Sequence, residues 1–252
     1  MNLLITAGGT SEKIDDVRHL TNHATGTLGK EIAHSLEKDD VTIYYIHGPQ
    51  AVLPKNKEIK FFSIHSVQEL YQTMEELLTT ISFDYVIHSM AVSDYELDTA
   101  SNEELLAKKI AQTIEDTQPK SQETLVELIK NTLMDTKDLS QPTQKKISSK
   151  NEKLILIMGK APKVITKIKE WQPNTKLIGF KLLVDVSEEE LVNVAKESII
   201  KNQADWILAN DLTTINGDNH IGLLVSNSGI DQRFSTKKEI AQGLRNLVLT
   251  NK

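Results

Sequence analysis

Short apolar runs alternate along this chain with stretches of helical period, and no other feature narrows its fold so far. Leu3-Leu4-Ile5-Thr6, Thr42–Ile46 (TIYYI), Lys60–Ile64 (KFFSI) and Tyr85-Val86-Ile87 each have the length of a strand. Leu154–Met158 (LILIM), Lys176–Phe180 (KLIGF), Trp206-Ile207-Leu208 and Gly222–Val225 (GLLV) continue the series. Between them Leu28, Ile32 and Leu36 recur at helical spacing, as do Val67, Leu70, Met74, Leu77 and Leu78. Leu191, Val194, Ala195 and Ile199 follow a Ser187 placed to cap Glu188–Glu190. Ile240, Leu244, Leu247 and Val248 make a last apolar face. Such alternation implies an α/β fold, a mainly parallel sheet with helices on both faces. Sheets of this kind bind ligands at the carboxyl ends of their strands, which singles out the loops to read next.

Composition removes several function classes. The chain has no cysteine, so disulfides, thiolate metal sites and a cysteine nucleophile are excluded. A formal charge of −6 argues against nucleic-acid binding through bulk positive charge. No run reaches the roughly 18 apolar residues of a membrane span. Met1–Ile5 leads directly into a strand without a leader pattern, so a cytoplasmic protein is expected. The seven histidines lack metal-ligand spacing, and no metal site is assigned.

The strand-end loops carry the chemistry. Gly8-Gly9-Thr10 after the first strand reads as a nucleotide cradle or as a tight turn. The dinucleotide pattern G-x-G-x-x-G is missing, and the second strand ends in His47-Gly48-Pro49 without an acidic ribose partner. Thr21–Gly29 (TNHATGTLG) opens a helix with small residues, the geometry of an anion site. Asn22 there offers a neutral amide that donates and accepts, or serves as a turn residue. Ala91-Val92-Ser93-Asp94, Gly179-Phe180 and Ala209-Asn210-Asp211 end later strands. From 99 to 150 strand signal is weak; charged, helix-like pieces lead to DLSQPTQKKISSK, a lid, flap or dimer arm, or a surface insertion.

Taken in order, GGTSEKIDDVRHLTNHATGTLG, AVSDY, KISS, GFKL and AND resemble phosphopantothenate–cysteine ligases of coenzyme A biosynthesis, over nearly the whole chain. The resemblance implies a Rossmann-like sheet, one ligase domain over 1–252 with an insertion or flap at 99–150, and a homodimer. It implies attack of the phosphopantothenate carboxylate on a nucleoside triphosphate carried with Mg²⁺, then displacement of the nucleotide by the cysteine amine. CTP is favoured over ATP. It further implies that Asn22 holds the acyl intermediate and that Lys146 begins a mobile lysine motif. Gly8, Gly9, Thr10, Ala91, Asp94 and Phe180 correspond to the nucleotide pocket, and Thr25, Gly26 and Asn210 to substrate-binding positions. At 252 residues the chain is expected to be the stand-alone bacterial form, with a separate decarboxylase serving the next step.

Departures from the family pattern bear on the nucleotide. Ala24 and Thr25 stand where two serines are common, and KISS replaces KIKK. Ser198 and Asn202 occupy positions that often carry lysines in bacterial members, which weakens the inference to CTP. A regulatory paralogue without catalysis and a Rossmann-type dehydrogenase are the alternatives, the second disfavoured by the missing glycine pattern.

Overall fold

The computed structural model describes residues 1–135 and 153–250. In chain order the strands and helices begin with β1 (Asn2–Ala7), β2 (Ser11–Lys13), β3 (His19–Thr21), α1 (Thr27–Ser35), β4 (Thr42–His47) and β5 (Lys60–Ser63). They continue with α2 (Val67–Thr80), β6 (Tyr85–His88), β7 (Tyr95–Asn102), α3 (Glu103–Thr117), α4 (Gln122–Met134) and β8 (Leu154–Lys160). Then come α5 (Val164–Trp171), β9 (Lys176–Leu183), α6 (Glu188–Asn202) and β10 (Trp206–Asp211). A single 3₁₀ turn at Leu212–Thr214 precedes β11 (Asn219–Ser226), β12 (Gly229–Thr236) and α7 (Lys237–Thr250). Two compact units result: Met1–Ser11, Thr21–Ser93 and Pro162–Lys252 form one, Glu12–Leu20 and Asp94–Ala161 the other.

The first unit is built on an eight-stranded sheet in the order β12-β11-β10-β9-β6-β1-β4-β5. Strands β5, β4, β1, β6, β9 and β10 are parallel, while β11 and β12 close one edge antiparallel. Leu3, Leu4 and Ile5 of β1 are wholly buried, as a central parallel strand covered on both faces requires. On one face Leu3, Ile5, Ile87 and Ile178 pack with Ile32 of α1 and with Ile240 and Leu244 of α7. The other face carries α2 and α5, which pack on each other; a Cβ at Gly179 would point toward Ile165 of α5. Ser187 caps α6 by accepting from the Glu190 N–H at 3.2 Å, as its place before three glutamates led one to expect. Arg245 of α7 clasps Asp39 with two bonds of 2.8 Å and ties the last helix to the turn after α1.

Chain order and strand order together create a switch point. From β1 the chain runs outward to β4 and β5, then returns to the opposite side of β1 as β6 and continues through β9 to β10. The switch point therefore lies between β1 and β6, and sheets of this kind bind ligands at the carboxyl ends of the strands beside it.

The second unit corrects one expectation. LILIM, grouped above with the parallel strands, is β8, which pairs antiparallel with β7 in a two-stranded sheet. Its residues are half-buried or exposed, so the apolar run does not mark a doubly covered strand. The partner β7 (YELDTASN) is polar enough to hide from a hydrophobic-run reading, and it is bulged between Leu97 and Thr99. Helices α3 and α4 are capped by Asn102 and Ser121, whose side chains accept from Leu105 N at 2.8 Å and Thr124 N at 3.2 Å. In the turn between β2 and β3, buried Asp15 accepts from the backbone N–H groups of Val17 and Arg18 at 2.9 and 2.8 Å. The stretch Asp15-Asp16-Val17-Arg18 thus builds a turn.

Candidate functional site

Three loops of the first unit are knitted together at the switch point. The Ala91 N–H donates to the Gly8 carbonyl at 2.8 Å, and the Ala91 carbonyl accepts from Thr10 N–H at 3.1 Å. Thr10, fully buried, accepts the Ser93 N–H on its hydroxyl at 3.0 Å. Asn22 joins the same knot: its N–H donates to the Thr10 carbonyl at 3.3 Å and its side-chain amide to the Ala91 carbonyl at 3.2 Å. Among the described residues the amide's acceptor oxygen and second N–H have no further partner. Residues 10, 22 and 91, far apart in sequence, thus share one node.

Close backbone approach explains the glycines. A Cβ on Gly9 would lie 2.7 Å from the Asn22 carbonyl oxygen, and one on Gly48 only 2.0 Å from the Gly9 oxygen. Gly26, at φ 68°, flanks the first turn of α1 and has no side-chain cap. That turn holds no acidic residue, so its N–H groups and the helix dipole favour an anion. Thr25 is exposed, with its hydroxyl 2.8 Å from that of Thr27, and its carbonyl accepts the Val52 N–H at 2.9 Å. Beneath Gly29 lies the buried hydroxyl of Tyr45, which has no hydrogen-bond partner among the described residues; burial raises its pKa above the ordinary phenol range.

Phe180 is packed at the edge of the core cluster near the carboxyl end of β9. Asn210 is buried at the end of β10. Its neighbour Asp211, the last residue of the AND motif, to which the sequence reading gave no role, is a hub. It accepts from Val186 N, Thr213 Oγ1, Thr213 N and Asp185 N at 2.8, 2.7, 2.8 and 3.1 Å. These donors, led by the Val186 N–H, pull its carboxyl down to about 2. Asp185, held at a positive φ of 55°, belongs to the turn this clamp secures. Helix α5 begins after Lys163 without a side-chain cap.

The remaining candidates lie elsewhere. Asp94 belongs to the second unit, where its carbonyl accepts the Ala161 N–H at 3.0 Å. Lys146 and the KISS stretch lie outside the described residues. At the two lysine-type positions of α6, Asn202 donates to the Ser198 hydroxyl at 2.9 Å and is itself buried. Among the described residues no cluster of His, Asp and Glu has metal-binding geometry. None of their helices is long and apolar enough to cross a membrane.

A family model described as the DNA/pantothenate metabolism flavoprotein C-terminal domain matches residues 1–133 and 135–251. The chain belongs to this family. A crystal structure of the DNA/pantothenate metabolism flavoprotein from Streptococcus pneumoniae is 38% identical, aligns over the whole of both chains and has a TM-score of 0.81. The C-terminal domain of a coenzyme A biosynthesis bifunctional protein CoaBC shares the fold at 19% identity, with a TM-score of 0.65 over 99% of this chain and 95% of that one. The bifunctional CoaBC of Thermococcus kodakarensis is 27% identical over 243 residues, 96% of this chain and 49% of that protein. The Methanocaldococcus jannaschii protein of the same name covers 95% and 48%. This chain therefore spans about half the length of the curated relatives it matches. Family membership agrees with the resemblance read from the motifs and with the Rossmann-like, mainly parallel sheet.

Proposed function

We propose that the chain is a ligase joining 4′-phosphopantothenate to L-cysteine, with CTP favoured and ATP the alternative nucleotide. The observation that carries this reading is the node of Gly8, Thr10, Asn22 and Ala91 at the switch point, beside the uncapped start of α1. Family membership supports it, as does a structural neighbour of the same fold, Cab2, which is described in complex with phosphopantothenate-cysteine.

In the first half-reaction a carboxylate oxygen of phosphopantothenate bonds to the α-phosphorus. The bond from that phosphorus to the bridging oxygen breaks, and pyrophosphate leaves. In the second, the cysteine nitrogen bonds to the acyl carbon, the acyl–oxygen bond breaks, and the nucleoside monophosphate departs while the amine proton passes to solvent. Neither step needs a protein nucleophile; both need orientation and compensation of negative charge. Gly8, Gly9 and Thr10 offer backbone close to the nucleotide, and Ala91 and Phe180 are assigned to it with them; Asp94 is assigned to it by its place in the motif alone. Thr25, Gly26 and Asn210 bind the acyl substrate. Asn22 holds the acyl nucleotidylate with its remaining amide hydrogen and adds no charge to a crowded anionic site. Lys146 neutralises phosphate charge. Mg²⁺ enters with the triphosphate, where it needs few protein carboxylates.

We read residues 1–252 as one ligase domain with an insertion at 99–150, acting as a cytoplasmic homodimer; the following decarboxylation is assigned to a separate decarboxylase. The test is incubation with 4′-phosphopantothenate, cysteine, Mg²⁺ and either CTP or ATP. Formation of pyrophosphate and the amide is expected. Absence of both products with both nucleotides sinks the reading and favours a regulatory nucleotide-binding role. Reduction of a nicotinamide cofactor would instead favour a dehydrogenase.

A further inference from the structure

At the last register of the central strands lies a polar pair that the mechanism above does not use. Thr6 of β1, His88 of β6 and Gly179 of β9 are aligned side by side. Thr6 is wholly buried and His88 is 6% exposed. His88 Nδ1 lies 2.9 Å from the Thr6 hydroxyl. On the other flank Gly179 contributes no side chain, and a Cβ there would lie 2.7 Å from Ile207 Cδ1 and 3.0 Å from Ile165 Cδ1. An aliphatic pair would fill such a place without the cost of desolvating a hydroxyl and an imidazole.

Three hydrogen bonds tie this pair to one loop. The Thr6 carbonyl accepts from Ser89 N at 3.3 Å and from Ser89 Oγ at 2.6 Å. The Thr6 hydroxyl accepts from Met90 N at 3.3 Å. Because it accepts there, its own proton must go elsewhere, and among the described residues Nδ1 of His88 is the available acceptor. With Nδ1 as that acceptor, the ring proton lies on Nε2. Burial lowers the His88 pKa to about 4, so the ring is neutral at ordinary pH and one of its two nitrogens is an acceptor.

We propose that His88 is a positioning residue for the nucleotide pocket: by accepting the Thr6 proton it fixes the Thr6 hydroxyl toward Met90 N and thereby sets the Ser89–Ser93 loop that carries Ala91. The assignment rests on the ligase reading. It differs from a merely space-filling histidine in requiring an acceptor at the δ position. His88→Leu keeps bulk and removes that acceptor; His88→Asn restores one through Oδ1; Thr6→Val keeps volume and removes the hydroxyl.

The experiment measures KM for CTP and kcat on the full chain at saturating 4′-phosphopantothenate and cysteine, beside nitrogen NMR of the imidazole in wild type. Loss of one such hydrogen bond corresponds to about three- to tenfold in an equilibrium constant. His88→Leu and Thr6→Val are expected to raise the KM for CTP by that factor with a smaller change in kcat. His88→Asn should recover most of the loss, and the wild-type spectrum should show a neutral ring protonated on Nε2. An active wild type whose Thr6→Val variant keeps the KM, or whose His88→Asn variant is no better than His88→Leu, overturns the proposal alone. Thr6→Val decides the matter if the leucine variant fails to fold. A wild type protonated on Nδ1 also overturns it, and a wild type without turnover with both CTP and ATP overturns the ligase reading and this assignment with it.

Discussion

Replacing Gly9 by alanine tests the site at its tightest point. Gly9 does not sit at positive φ, so alanine adds no backbone strain there. Its Cβ would instead lie 2.7 Å from the Asn22 carbonyl oxygen and 3.2 Å from Asn22 Cβ. Ordinary contact begins at 3.4 Å, so the Asn22 backbone must retreat by about 0.7 Å, the difference of the two distances. Its two bonds to the node are already long, at 3.3 and 3.2 Å, and such a shift breaks at least one of them. The neighbours His23 and Thr25 are exposed, so the loop can yield, and the stability cost stays at the low end of overpacking, about 1 kcal/mol. Catalysis is less forgiving: misplacement of about 1 Å can cost on the order of 10²-fold in rate. Gly9→Ala should therefore unfold close to the wild-type temperature while pyrophosphate release falls by roughly 10²-fold. The paired assays are thermal unfolding and turnover with CTP. A variant that turns over at more than about half the wild-type rate would show that Asn22 tolerates displacement and that the node is not the catalytic cradle.

Other perturbations give distinct signatures. Asn22→Asp puts a charge against the anionic intermediate and should slow turnover by on the order of 10²-fold; normal turnover would leave Asn22 a turn residue only. Lys146→Gln should lower kcat while nucleotide binding, followed by titration, changes by less than about twofold; equal losses would place the lysine in the resting pocket. Removing the orphan hydroxyl with Tyr45→Phe should leave stability unchanged or raise it by about 1 kcal/mol in urea unfolding, and a large loss would reveal a partner for that oxygen. His88 and His220 are both buried and held near a pKa of about 4, the second helped by Lys237, against an ordinary 6.5. Depressed pKa values mean that the unfolded chain binds protons that the folded chain refuses, so stability is full above 6.5 and is lost as pH falls toward 4. Between pH 8 and pH 5 each histidine should cost ~2 kcal/mol in urea unfolding. A flat profile over that range would contradict their burial as neutral rings.

Much of this protein is legible in its linear pattern, because period and burial are local properties. Leu3-Leu4-Ile5 reads as a buried parallel strand since both its faces are covered, and Ser187 reads as a cap since three glutamates follow it. The motif order and the glycines are local too, and they identified the family and the loops. LILIM shows where that logic stops: a short apolar run has the same composition whether it lies in the middle of a sheet or in a two-stranded ribbon, and only its pairing with the polar β7 distinguishes them. Asp211 shows it again, since a carboxylate is a clamp only when donors from residues 185, 186 and 213 converge on it. The same holds for His88, one of seven scattered histidines until β1 brings Thr6 beside it. Sequence by itself determined the core parallel strands, the Ser187 cap and the family. Tertiary structure decided which polar atoms meet, because parallel pairing joins residues about eighty positions apart and no local period records that register.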